Sequence, residues 1–367
     1  MATAPTIDID SLLAPISEAA PTGINLRADA SPTSIYYKLK DARSGARAAE
    51  RRADSEGAAA GLLPEWQTIL NLAPKALAET SKDLEVIVWF IEGLVRAEGY
   101  AGLRDGLKLA RGLIDQYWEN FFSLEDEDGL ATRLAPLAGL NGQGNEGTLI
   151  QPLRKVPVTA TLGDGAFAIY HYDQARALAN VADPEIKARR EAAGEISMDT
   201  FNAAVNQSGG VFYIGLLEDI DGAIEVLGQL GQSLNERAGR DAPSTSDIAR
   251  VLTAVRDTVA AFSLELVERA RAAAAQGSAG AEGAAGATAA GASGGSVRGR
   301  EEALRTLQQV AEYFRKNEPH SPISTSLDEI VRRAKMPFAE LLAELLPDDT
   351  AWRSALTSAG IKPPPVQ

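Results

Sequence analysis

Apolar residues along this chain recur at steps of three and four, the spacing of one helix face, and rarely at steps of two. The densest stretch is residues 81–99. There Leu84 and the unbroken run Val86-Ile87-Val88-Trp89-Phe90-Ile91 are followed by Leu94 and Val95. At 3.6 residues per turn such a run covers most of the helix circumference, so neighbours must bury it on several sides. The run is too short to span a membrane and is interrupted by Glu92. Thr80, Ser81 and Asp83 supply a capping start, and Gly99 supplies an end. This pattern predicts the central helix of a mainly α-helical protein.

After Gly99, the residues Leu103, Leu107, Ala110, Ile114, Tyr117 and Phe121 form one stripe. It predicts an antiparallel partner for the central helix, joined to it by a short turn. Upstream, Pro64 opens a helix containing Trp66, Ile69 and Leu70, which Pro74 is expected to kink or end. Ser31-Pro32 predicts another helix start, with Ile35, Tyr36 and Leu39 turned inward. Its later Arg43, Arg47, Arg51 and Arg52 read as a solvated basic face, with a docking surface as the less common outcome. The first thirty residues are punctuated by Pro5, Pro15, Pro21 and Gly23 and read as an arm. Its Ile7, Ile9, Leu12, Leu13 and Ile16 would pack onto the body. Residues 148–170 hold the strand material, cut by Pro152, Pro157 and Gly163 into short extended pieces.

Two longer stripes follow, one of Tyr213, Leu217, Ile220, Ile224, Leu227 and Leu234, the other of Ile248, Leu252, Val255, Val259, Phe262 and Leu266. They predict two long antiparallel helices joined by a turn at Pro243. From 272 to 299 the composition collapses to Ala, Gly and Ser, which cannot build a core and reads as a flexible tether. Periodicity returns with Leu304, Leu307, Val310, Ala311 and Phe314, and further helices are expected to near the C-terminus. The expected division is a helical domain over 1–175, a helical middle region over 176–271, a linker over 272–299 and a small helical domain over 300–367. A domain of that size has a marginal core, and oligomerisation is a common remedy.

Composition narrows the function classes. The net charge of −14 argues against a general binder of nucleic acid or anionic membrane. Residues 298–335 depart from that balance, with eight Lys/Arg against six Asp/Glu. The absence of cysteine excludes disulfides, thiolate metal sites and cysteine nucleophiles. The N-terminus lacks the basic start and apolar core of a signal peptide, and no stretch has transmembrane length, so a soluble cytoplasmic protein is expected. The two histidines, His171 and His320, sit in no metal-binding spacing, and although Ser321 and Asp328 lie near His320, a serine triad needs a spatial assembly that sequence does not show. The acidic run 125–128 fails as a calcium loop, because with Gly129 as the turn glycine the end ligands fall on Leu124 and Ala135. Gly142, Gly144 and Gly147 match a dinucleotide fingerprint on spacing alone, since a helix rather than a strand is expected before them. No catalytic residue, cofactor site or metal site is assigned. Trp66, Leu84, Trp89, Phe90, Tyr117 and Trp118 are expected in the structural core.

Pro64-Glu65-Trp66, Ser81-Lys82-Asp83-Leu84, Tyr117-Trp118-Glu119, the acidic run and Arg133, in that order, resemble the ImpA-type N-terminal domain of TssA proteins of bacterial type VI secretion systems. The run Tyr313-Phe314-Arg315, Glu318-Pro319-His320-Ser321-Pro322, Met336-Pro337 and Leu341-Leu342 resembles the end of compact members of the same family. Where relatives often place an arginine–tryptophan pair before the methionine, this chain has Arg333-Ala334-Lys335. The resemblance implies a non-enzymatic assembly factor. Its C-terminal domain would form a homo-oligomeric ring, with Phe314, Arg315, Glu318, His320, Met336, Leu341 and Leu342 as interaction candidates. The ring would engage the baseplate and the tube and sheath of the contractile tail. Two other readings stand beside it. One is a helical adaptor unrelated to contractile tails that binds a single protein partner. The other is a helical hydrolase using paired carboxylates, which sequence spacing does not address.

Overall fold

The computed structural model describes residues 2–56, 61–124, 129–161, 165–282, 300–317, 323–336, 341 and 344. Among these residues it contains twelve α-helices, and β pairing is confined to isolated bridges. Two compact units divide the chain, residues 1–284 and 285–367.

The first unit is built around α4, Leu84–Tyr117, which doubles back on itself at Gly99. Gly99 has φ 57° and ψ −134°, a conformation that residues with a side chain avoid. The two arms then run antiparallel in direct contact. A Cβ on Gly102 would lie 2.4 Å from the carbonyl oxygen of Leu94, and one on Gly106 would lie 2.8 Å from Ile91 Cγ1. At the open end the Leu84 N–H donates to Phe122 O at 2.8 Å and the Phe122 N–H to Lys82 O at 2.9 Å. Residues 86–95 are buried without exception, as an all-round apolar helix requires.

Helix pairs cover this hairpin on two sides. α3, Pro64–Glu79, lies against the first arm, with Leu70 and Ile69 over Gly93, and α2, Ile35–Glu56, packs against both. α9, Met198–Ala238, lies against the second arm, where Gly222 faces Arg104. α10, Ser246–Glu282, runs antiparallel to α9 on its far side, so that Gly210 meets Leu266 and Gly231 meets Thr245. α9 bends at Gly209, where φ is 76°. That bend keeps Phe201 and Tyr213 both within ring contact of Phe262. The smaller helices α5 (Leu130–Asn141), α6 (Ile150–Lys155), α7 (Ile169–Ala179) and α8 (Pro184–Ala192) complete the unit after α4, and α1 (Ile9–Leu13) packs against α3 and α4. α1 buries Leu12 and Leu13.

Several local expectations are corrected. The cap of α4 is Asp83, whose carboxylate accepts from the N–H groups of Glu85 and Val86, rather than Ser81, which is buried beside it. α2 begins at Ile35, because Ser31–Ser34 closes a turn through its own backbone hydrogen bond. α3 continues through Pro74 to Glu79, since packing outweighs the single donor lost. Residues 150–155 form α6 instead of an extended piece; Pro152 falls in its first turn, where no N–H is required. α10 carries the alanine-rich sequence on to Glu282, and residues 283–299 of the expected tether lie outside the described residues.

In the second unit, α11 (Arg300–Asn317) and α12 (Ile323–Lys335) pack against each other. Their shared seam buries Ala311, Val331 and Ser324. The helices expected beyond Met336 lie outside the described residues, apart from the isolated positions 341 and 344.

Candidate interaction surfaces

Charged side chains that sequence patterning leaves on wet faces are drawn inward around α4. Glu92 interrupts the apolar run and is fully buried, and Arg43 of α2 reaches it with a two-pronged ion pair, Nη2 to Oε1 at 3.0 Å. Two turns further along α2 and one turn further along α4 the polarity reverses. Glu50 accepts from Arg96 Nη2 at 2.8 Å and from the indole N–H of Trp66 at 2.7 Å, and the Arg96 guanidinium stacks over the Trp66 ring at 4.0 Å. Arg43 is thus part of the interior and not of a solvated face. A lone buried carboxylate would be strongly destabilising, so these pairs are what makes the acids tolerable there.

The 81–85 stretch is a second polar centre. Arg27 bridges Asp83 and Glu85 at 2.6 Å each, and the Tyr36 hydroxyl donates to Glu85 at 2.9 Å. Burial lowers the affinity of Arg27 for its proton, but the two carboxylates more than reverse this and hold it charged. Burial and the Glu85 charge push the Tyr36 hydroxyl up to about 12. Lys82 has no exposed surface, and its amine donates to Leu12 O at 2.7 Å and Leu77 O at 2.6 Å, joining the arm to the end of α3. A third network ties the arm to the hairpin and α9. There Arg104 pairs with Asp105 and Asp219, while the backbone N–H groups of Thr6 and Thr3 donate to the same two acids.

The residues that carried the resemblance at this end therefore act as joints. Trp66, Leu84, Trp89 and Phe90 are buried, whereas Tyr117 and Trp118 are half-buried at the rim. The Tyr117 hydroxyl donates to Leu13 O at 2.7 Å. Arg133 donates to the carbonyls of Trp118 and Phe121 and stacks over the Phe121 ring at 3.9 Å. Trp118, Tyr117, Gln116, Pro21, Thr22 and Arg237 line a groove of about 200 Å³. The acidic run 125–128 lies outside the described residues.

In the second unit several apolar side chains are exposed. Val310, Tyr313, Ile323 and Ile330 are 38%, 59%, 41% and 52% exposed. Phe314, Met336 and Leu341 are half-buried, and Arg315 is exposed and paired with Asp328 across the hairpin. Glu318, His320 and Leu342 lie outside the described residues.

Among the described residues no three His, Cys, Asp or Glu side chains are placed to hold a metal ion, and no helix is long and apolar enough to cross a membrane. His171 caps α7, its Nδ1 accepting the Ala168 N–H at 2.9 Å, and burial lowers its pKa. The glycines at 142–147 make a tight connection between α5 and α6. A Cβ on Gly142 would lie 2.4 Å from Asn145 O, and the stretch follows a helix rather than the strand that a dinucleotide fingerprint requires. Asn141, just before them, is a joint that sequence reading missed. Its buried Oδ1 accepts the N–H groups of Asp247 and Ile248 and caps α10 from another helix. The mirrored pairs Arg43/Glu50 and Glu92/Arg96 were the available signal for the ion-pair ladder, but nothing in the sequence sets those helices side by side.

Comparison with known proteins agrees with this architecture. The family described as "ImpA, N-terminal, type VI secretion system" matches residues 13–142, the arm through α5. The chain is 26% identical over 353 residues to the type VI secretion system component TssA1 of Pseudomonas aeruginosa, covering 93% of this chain and 96% of that protein. Among solved structures it is similar to the N-terminal domain, including the conserved ImpA_N region, of the TssA component from Burkholderia cenocepacia. That match has a TM-score of 0.59 at 27% identity and covers 72% of this chain and 98% of the other. Residues 13–142 thus match the ImpA N-terminal family of type VI secretion systems, and the chain as a whole is similar, nearly end to end, to a TssA component of such a system.

Proposed function

We propose that this protein is a non-enzymatic assembly component of a type VI secretion system, working in the cytoplasm. Its C-terminal unit self-associates into a ring, and each copy displays a helical N-terminal body toward the baseplate and the tube and sheath of the tail. Many tethered copies on one ring raise local concentration, so weak individual contacts add up to firm engagement. The observation that carries this reading is the exposed apolar surface of α11 and α12, where Val310 and Ile330 stay exposed among the described residues on a unit too small to spare them.

Light scattering and negative-stain electron microscopy on the full-length chain test it. The expected result is a closed oligomer many times the 38.7 kDa of one chain. The double substitution Val310→Glu with Ile330→Glu should dissociate it while leaving the melting of the N-terminal body unchanged. A monomer at micromolar concentration would sink the ring and favour a helical adaptor with a single partner.

A further inference from the structure

One edge of α2 carries Arg43, Arg47 and Arg51 at steps of four. Residues at that spacing sit side by side on a helix, and like charges there oppose folding. The acids nearest Arg47 are already committed, Glu92 to Arg43 and Glu50 to Arg96 and Trp66. Arg47 sits between these two ion pairs. Its side chain makes no hydrogen bond or ion pair among the described residues, and neither do those of Arg51 and Arg52. Burial presses most on the Arg47 charge; Glu92 supports it, and the neighbouring Arg43, Arg51 and Arg96 oppose it, with the balance lowering its pKa. Arg47 is half-buried; Arg51 and Arg52 are exposed. Replacing these arginines would break no hydrogen bond or ion pair among the described residues. Folding alone therefore does not account for three cations placed where they repel.

We propose that the edge of α2 formed by Arg47, Arg51 and Arg52 is a docking site for an acidic helical segment of a partner protein. Carboxylates one turn apart on that segment complete the ladder that Arg43–Glu92 and Glu50–Arg96 begin. The planar guanidinium matches a carboxylate with two parallel hydrogen bonds, and the step of four between Arg47 and Arg51 matches glutamates at the same step. A protein partner fits better than a phosphate backbone or a lipid surface. The uncompensated stretch is short, Asp54 and Glu56 follow it on the same helix, and the chain as a whole carries −14 charges. Long polyanions gain from extended basic surfaces, which this is not.

The test uses the full-length protein and a fluorescein-labelled helical peptide with paired glutamates at i and i+4, alongside the same peptide with glutamines. Anisotropy should report saturable binding of the glutamate peptide that weakens with salt, and none for the glutamine peptide. Arg47→Ala with Arg51→Ala should weaken binding about tenfold or more, while the melting temperature stays level or rises. Absence of binding, undiminished binding by the variant, or a fall in its melting temperature would each overturn the proposal. Tighter binding of duplex DNA or phosphatidylserine vesicles, lost in the same variant, would overturn the choice of a protein partner. The ring proposed above is assigned to the other unit, so a variant chain that still oligomerises but no longer binds peptide separates the two claims.

Discussion

Lys82 shows how far a single residue's role depends on its surroundings. By sequence it is one more polar residue ahead of an apolar helix; in the fold it is sealed between the arm and α3. Two carbonyl acceptors suit the two N–H groups of a neutral amine and leave the third proton of an ammonium without one. Burial correspondingly pushes its pKa down to about 8. In the unfolded chain the value is near 10.4. Between those values the unfolded state holds the proton and the folded state does not, so stability should rise with pH across that window. Urea unfolding at intervals from pH 7.5 to about 10, compared with Lys82→Met, checks it; a gap between the two proteins that does not change with pH would refute it. At Asn141 the side chain replaces a missing cap across a helix boundary. Asn141→Ala should cost about 1–2 kcal/mol in the same assay, the range of a lost N-cap, and Asn141→Asp, which keeps the acceptor, should recover most of it.

At the scale of the element, the α4 hairpin depends on what its glycines omit. Gly99 turns the chain and Gly102 and Gly106 let the arms touch, so an added methyl at 102 meets a backbone oxygen that has no rotamer by which to withdraw. Gly102→Ala should destabilise by about 1–3 kcal/mol through overpacking, against the usual gain from alanine in a helix. Trp89→Ala acts by the opposite route, emptying a buried site, and should cost about 3–5 kcal/mol. Calorimetric melting of both variants would show whether the hairpin is the organiser of the body; a loss under about 0.5 kcal/mol for either would deny it. The stripes of both arms and their antiparallel packing were legible in the sequence, because an apolar face has only one way to be buried by a helix four residues of loop away or less. Starts and stops were less legible. Ser81 and Pro74 each carry a local signal that tertiary contacts override, and at Ser31 a local turn takes the place of the helix start.

At the scale of the whole molecule, two units with separate cores imply separable behaviour. Residues 1–284 close their own core around α4, and the similar solved structure is itself an N-terminal domain. A chain ending at 284 should fold, melt as the body of the full-length protein does, and sediment as a monomer, whereas the full chain should not. Sedimentation velocity on both decides this, and a monomeric full chain or an oligomeric truncation would contradict the assignment of assembly to the C-terminal unit.

The sequence by itself determined the helical class, the hairpin at its centre, the two long middle helices and the family likeness. Those follow from periodicity and from ordered short motifs, both of which are local. Only the tertiary structure decided which charges are interior. Arg43 and Glu92 are far apart in the chain and look like two solvated residues until α2 is laid along α4, and Arg47 looks like its neighbours until both nearby acids are seen to be taken. An ion pair's position depends on the distance between elements, which hydrophobic spacing along one element does not encode.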